Sequence, residues 1–154
     1  GTQKAKYVNV DASVLAQAAN CKSRLAAGQS TTNICNVSVI TPLGDIAEPV
    51  RAPGFTSTLG INGTIPLGAS LKLQPSVNWA HVAANWAATA NTLIGRQQAR
   101  DTLNAGLTLR PTDGKWALTA DCTNCTNETY VVSFLVYPYL NEPRRWMVRA
   151  RYDF

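Results

Sequence analysis

Four cysteines, Cys21, Cys35, Cys122 and Cys125, are the residues best equipped for chemistry in this chain. Thiolates can ligate zinc, exchange disulfides or form structural cross-links. Only Cys122 and Cys125 lie close in sequence and no histidine accompanies them, so the spacing does not resemble a zinc site. A thioredoxin-type reading of Cys122-Thr123-Asn124-Cys125 would need a strand running into a helix, and the flanking sequence offers none. The even count fits disulfides and an oxidising compartment such as a periplasm or cell surface. Of the three connectivities, Cys21–Cys35 with Cys122–Cys125 is favoured. Residues three apart on a regular strand face opposite ways, so the second bond needs a turn or bulge at Thr123-Asn124. His81 is the only histidine and the only obvious general base. No orienting carboxylate is placed beside it by sequence, and no phosphate loop, metal-ligand cluster or paired catalytic carboxylates stand elsewhere. Neither catalysis nor a cofactor is expected.

The net charge of +5 raises nucleic acid as a partner. Four of the basic residues, Arg144, Arg145, Arg149 and Arg151, fall on or beside one alternating segment, which points to a solvated or lumen-lining face instead, and nucleic acid is not expected. Charged residues make up only 15% of the chain, against about 25% in ordinary globular proteins. Thr, Asn, Ser and Gln supply the polarity, a composition suited to strands that are apolar on one side and neutral-polar on the other. No window approaches the roughly 20 apolar residues of a spanning helix, but a tilted spanning strand needs only about 9 to 11 residues.

The elements that would position these residues are strands. In the segment from Arg145 to Phe154, Trp146, Val148, Ala150, Tyr152 and Phe154 alternate with Met147, Arg149, Arg151 and Asp153. Side chains of a strand point alternately to its two faces, so this segment has one apolar and one polar face. Similar alternation runs through residues 5–18 (Val8, Val10, Ala12, Val14, Ala16), 55–65, 71–79 and 103–110, and through a segment that starts at Lys115 and continues into the apolar run from Tyr130 to Leu140. Pro66-Leu67-Gly68-Ala69 and Pro111-Thr112-Asp113-Gly114 are tight reversals, whereas residues 20–53 and 91–98 read as long loops. The expectation is an all-β chain: an antiparallel up-and-down meander of about six amphipathic strands, with short turns at one end and long loops at the other. That is the layout of an outer-membrane barrel. Such barrels close with at least about eight strands, so six would form part of a larger transmembrane β-barrel.

Three stretches carry a family resemblance. They are Leu103-Asn104-Ala105-Gly106-Leu107-Thr108-Leu109-Arg110-Pro111-Thr112-Asp113-Gly114-Lys115-Trp116-Ala117-Leu118-Thr119, then Thr123-Asn124-Cys125-Thr126-Asn127-Glu128-Thr129-Tyr130, and Pro143-Arg144-Arg145-Trp146 through Tyr152-Asp153-Phe154. Together they resemble the C-terminal end of a TonB-dependent outer-membrane receptor, a barrel of about 22 strands closed by a plug. Lys4 through Ala12 is similar to another strand of the same barrels. The likeness extends over nearly all of residues 1–154, with Cys125 standing where the family usually has Leu. It implies the C-terminal portion of a receptor that takes up a large scarce nutrient (an iron chelate, cobalamin or an oligosaccharide) across the outer membrane of a Gram-negative bacterium. The implied partners are the remaining strands and plug, lipid and lipopolysaccharide, the TonB complex acting through that plug, and the barrel-assembly machinery. Trp146, Val148, Tyr152 and Phe154 match the terminal signal that this machinery reads.

On the barrel reading, Asn78, Asn104, Arg110, Arg149 and Arg151 share the polar face and are the lumen and ligand candidates, favouring anionic cargo. Trp79, Trp86, Trp116, Tyr130, Tyr137, Tyr139 and Trp146 fall near strand ends, where interfacial aromatic girdles sit. Uncharged Val131 to Tyr137 also carries a cross-β signature. The competing function is a secreted or surface β-rich module that assembles with other copies through its open strand edges.

Overall fold

The computed structural model describes residues 1–134 and 137–154. The chain divides into two compact units. One comprises Thr56–Val82, Arg100–Tyr130 and Leu140–Phe154; the other comprises Gly1–Phe55, Ala83–Ala99 and Val131–Tyr139.

In the second of these, residues expected to begin a strand form helix α1, Ala12–Ala26. The apparent period-2 pattern at Ala12, Val14 and Ala16 is also an alanine-rich helical run. What decides is the i, i+4, i+7 set Val14, Ala18 and Cys21, which buries one stripe. Asp11 caps the helix by accepting the Ser13 N–H at 2.7 Å. Side-chain and backbone hydrogen bonds from Ser13 hold the Asp11 carboxyl below its ordinary pKa, so the cap stays ionised into mildly acidic solution. Gly28, at φ +65°, ends the helix with its N–H on Leu25. The Cys21–Cys35 disulfide, with Cα atoms 5.3 Å apart, ties the helix to the next segment. Ala18, Cys21, Cys35 and Ile40 form a small core there, with Val14, Ile34, Val37 and Ile46 packed against it.

The other unit is one antiparallel sheet. Its strands are β1 (Thr56–Asn62), β2 (Ile65–Leu67), β3 (Leu71–Val82), then β6 (Arg100–Pro111), β7 (Trp116–Thr123) and β10 (Arg145–Tyr152). The connections hold β4 (Asn85–Trp86), β5 (Arg96–Gln97), β8 (Val131–Phe134) and β9 (Pro138–Leu140). β1 and β2 keep a single register against β3, from Thr56 opposite Val82 to Leu67 opposite Leu71, so they act as one strand interrupted at Gly63-Thr64. The order β1-β3-β6-β7-β10 follows the sequence, which makes an up-and-down meander. The turn after Leu67 uses Gly68 at φ +70°, and the β6–β7 turn uses Gly114 at φ +75°, conformations that favour glycine. The connections through residues 83–99 and 124–144 leave the opposite end of the sheet. The meander therefore has five such strands and not six, because residues 5–18 do not supply one. The apolar run from Val131 does not extend β7; β8 pairs with β9 as a separate two-stranded sheet. Leu135 and Val136 of that run lie outside the described residues. No described helix is long and apolar enough to cross a membrane, which says nothing of strands.

Candidate functional site

Directly paired residues of an antiparallel sheet point to the same face. The register accordingly sorts the side chains of this sheet into two sets. One face carries Leu59 and Ile61 of β1, Leu73, Val77 and Trp79 of β3, Leu103, Ala105, Leu107 and Leu109 of β6, Trp116, Leu118 and Ala120 of β7, and Trp146, Val148, Ala150 and Tyr152 of β10. No charge interrupts that field from Leu71 to Trp79. Nor is it a core: Ile61 is 65% exposed, Trp146 70% and Val148 71%. In this unit only Cys122 and Asn124 are buried among the described residues. Five strands at about 4.8 Å and about 26 Å of strand length give a flat footprint of about 600 Å². That equals the largest apolar patches of soluble monomers before side-chain relief is counted.

Two boundaries frame this face. At the short-turn end Trp116 pairs with Tyr152, whose ring meets Phe154 edge-to-face at 5.1 Å. At the other end the apolar rows stop after Trp79, where Ser57, His81 and Asp101 form the next cross-strand row. His81 Nδ1 lies 3.0 Å from Asp101 Oδ1. Sequence reasoning did not find this carboxylate, because it is a cross-strand neighbour 20 residues away and only the register brings it to His81. From Leu71 to Trp79 the apolar rows run about 26 Å at 3.3 Å per residue, or about 20 Å of height at a tilt of 35–45°. This approaches the apolar band of outer-membrane barrels, about 25 Å. Trp79, Trp116, Trp146 and Tyr152 lie on this face. Trp86 does not: its indole N–H donates to Glu48 at 3.0 Å and Arg96 sits 5.6 Å from its ring centre. Tyr130 lies under the Arg100 guanidinium at 4.4 Å, and Tyr137 and Tyr139 belong to the segment around β9, so the girdle expected of these four is not seen on the sheet.

The opposite face is polar and holds all five lumen candidates. Asn78 and Asn104 are direct partners, Arg110 pairs with Lys72, and Arg149 and Arg151 follow along β10. A shallow concavity of about 490 Å³ opens on this face around Asn62, Ser76, Asn104, Gly106, Asp121 and Arg149. Its floor depends on glycine. A Cβ on Gly106 would stand 2.8 Å from Ser76 Oγ and 2.9 Å from Asp121 Oδ1. Arg149 is ion-paired with Asp121, and Arg151 with Asp153 at 2.9 Å. Asp121 and Asp153 therefore offset two of the cations named as anion contacts. Arg110 and Lys72 have no acidic partner within ion-pair distance among the described residues.

At the loop end of β7 the chain is fixed by asparagines. Asn124 adopts φ +50° and supplies the turn that the Cys122–Cys125 disulfide requires. It is buried; its side chain donates to the carbonyls of Glu128 at 2.8 Å and Glu142 at 3.1 Å and accepts the Glu128 N–H at 2.9 Å, while its own N–H donates to Asn104. Asn141 accepts the Tyr130 N–H at 2.8 Å and Asn127 accepts the Arg144 N–H at 3.0 Å. The outgoing and returning strands of the 124–144 connection are thus clamped at its base. Comparison with known proteins brings no match by family model, by curated protein or by solved structure.

Proposed function

We propose that residues 1–154 form a C-terminal portion of the β-barrel of a TonB-dependent outer-membrane receptor, which takes up a large scarce nutrient through a polar lumen. The observation that carries this reading is the single-layer sheet with an exposed, charge-free face about 20 Å tall at barrel tilt, backed by a polar face. Lipid satisfies the apolar face. The remaining strands satisfy the open backbone edges of β1 and β10, since unpaired edges do not occur against hydrocarbon. On this reading Trp116 and Tyr152 lie at one headgroup level, and Trp79 with the His81–Asp101 pair lies near the other. Short turns face the periplasm, and the Cys122–Cys125 disulfide at the loop end of β7 lies on the extracellular side, where an oxidised state persists.

Cargo contacts come from the polar face. Two of its arginines carry their own acids, so Lys72 and Arg110 supply the uncompensated charge that favours an anionic solute. Nutrient class, outer-membrane location, and plug, TonB and assembly-machinery partners follow from the family resemblance of the terminal hairpins.

One further observation favours a second reading: β1 and β10 are both edge strands, so several copies could pair edge to edge into a closed or fibrous assembly. Size-exclusion chromatography with light scattering, with and without detergent, separates the two. The receptor reading predicts a monodisperse chain only in detergent or lipid. An ordered, detergent-free oligomer would favour self-assembly, and a detergent-free monomer would overturn both.

A further inference from the structure

The disulfide-linked unit holds a pocket of about 540 Å³, within the range of small-molecule sites. Its wall is apolar: Pro42, Leu43, Ile46, Trp86 and Leu93 line it, and Leu43 and Leu93 remain exposed. Both sides of the pocket are preformed. The turn Thr41–Asp45 is closed by the Thr41 N–H on the Asp45 carbonyl at 2.8 Å and by the Asp45 N–H on the Thr41 hydroxyl at 3.0 Å. It is also seated closely on α1, because a Cβ on Gly44 would lie 2.8 Å from Lys22 Cγ and 3.0 Å from Cys21 Sγ. Across the pocket Asn91 grips the Glu48 backbone, accepting its N–H and donating to its carbonyl at 3.1 Å.

These bonds decide which polar groups stay available. Asn91 is committed to Glu48 and Ala88, and Asp45 is ion-paired with Lys22 at 2.7 Å. Glu48 accepts only the neutral Trp86 indole N–H, and no Lys, Arg or His side chain lies within ion-pair distance of it among the described residues. The Arg96 guanidinium already stands 5.6 Å from the Trp86 ring centre, so the Glu48 carboxylate, which has no ion pair among the described residues, is the contact this apolar pocket offers to a cation with an apolar body. We propose that this pocket binds small organic ammonium compounds. The apolar body rests on Leu43, Ile46 and Leu93, and the ammonium group faces the Glu48 carboxylate. The inference uses this unit alone and does not depend on the membrane reading.

The test is calorimetric titration of the full chain in detergent with benzyltrimethylammonium, benzyl alcohol and benzenesulfonate, each blanked against detergent alone. Saturable binding of the cation, tighter than the alcohol, with no binding of the sulfonate, is expected. Glu48→Gln keeps an acceptor for the indole N–H, so it should preserve the wall while weakening the cation about fivefold and leaving the alcohol unchanged. Leu93→Ser, at an exposed position, should weaken cation and alcohol alike. Equal affinity for cation and alcohol, an unchanged affinity in Glu48→Gln, or no saturable binding by chain with its Cys21–Cys35 bond intact would each overturn the proposal.

Discussion

On the proposed barrel reading, Leu107→Arg is expected to destabilise the membrane-embedded state by about 2–4 kcal/mol, the cost of an arginine on the lipid face of a barrel near the bilayer midplane. Leu107 sits opposite Pro75 on one side and Ala120 on the other, and Ala120 faces Val148, so its row is the middle one of the apolar rows between Leu71 and Trp79. There the guanidinium must either leave water or drag water inward. Gln74→Arg, next to Pro75 but on the polar face, sacrifices only a 3.3 Å hydrogen bond to Thr64 and should cost about 1 kcal/mol or less. Urea unfolding of the vesicle-inserted protein reads both changes on one scale. The difference between the two variants matters more than either value, since it cancels generic effects of added charge. Equal costs would mean that the two faces meet the same solvent.

The second large effect is expected at Asn124. Asn124→Ala removes three side-chain hydrogen bonds, each worth about 1 kcal/mol net, and puts alanine, which tolerates the left-handed region less well than asparagine, at φ +50°, a further cost of up to about 1 kcal/mol. About 3–4 kcal/mol of local stability should therefore be lost. Asn124→Gly relieves the backbone cost and should lose up to about 1 kcal/mol less than Asn124→Ala. Hydrogen exchange at Glu128, Tyr130 and Arg144, whose N–H groups the clamp holds, gives the local free energy directly. Identical protection in Asn124→Ala and the parent would show that the clamp does not secure the connection.

Much of this was legible in the sequence, for physical reasons that differ from one element to the next. Strands such as β6 and β10 were readable because alternation has one meaning when a polar set and an apolar set are both complete: Leu103, Ala105, Leu107 and Leu109 against Thr102, Asn104 and Thr108. Helix α1 was not, because alanines satisfy either period. The decisive signals were local, an Asp11-Ser13 cap and the spacing of Val14, Ala18 and Cys21. The common polar face of Asn78, Asn104, Arg110, Arg149 and Arg151 followed from alternation alone. Their charge partners did not, since Asp121 reaches Arg149 only through a register between β7 and β10 that connects across a long excursion. The same holds for His81 and Asp101. Asn124, Asn127 and Asn141 carry no periodic signal at all. Their role as loop clamps depends on positive φ at the first two and on hydrogen bonds from chain segments brought together by the sheet.

The central claim is that the two faces of this sheet meet different solvents, lipid on the Leu107 side and water on the Thr108 side. Spin labels placed singly at Leu107 and Thr108 in vesicle-inserted protein, and read by collision with oxygen and with a water-soluble nickel chelate, test it most directly. Oxygen should dominate at position 107 and the nickel chelate at position 108, with the preference reversing again at Leu109. Nickel-chelate access at both 107 and 109 equal to that at 108 would contradict the lipid-facing assignment and, with it, the barrel.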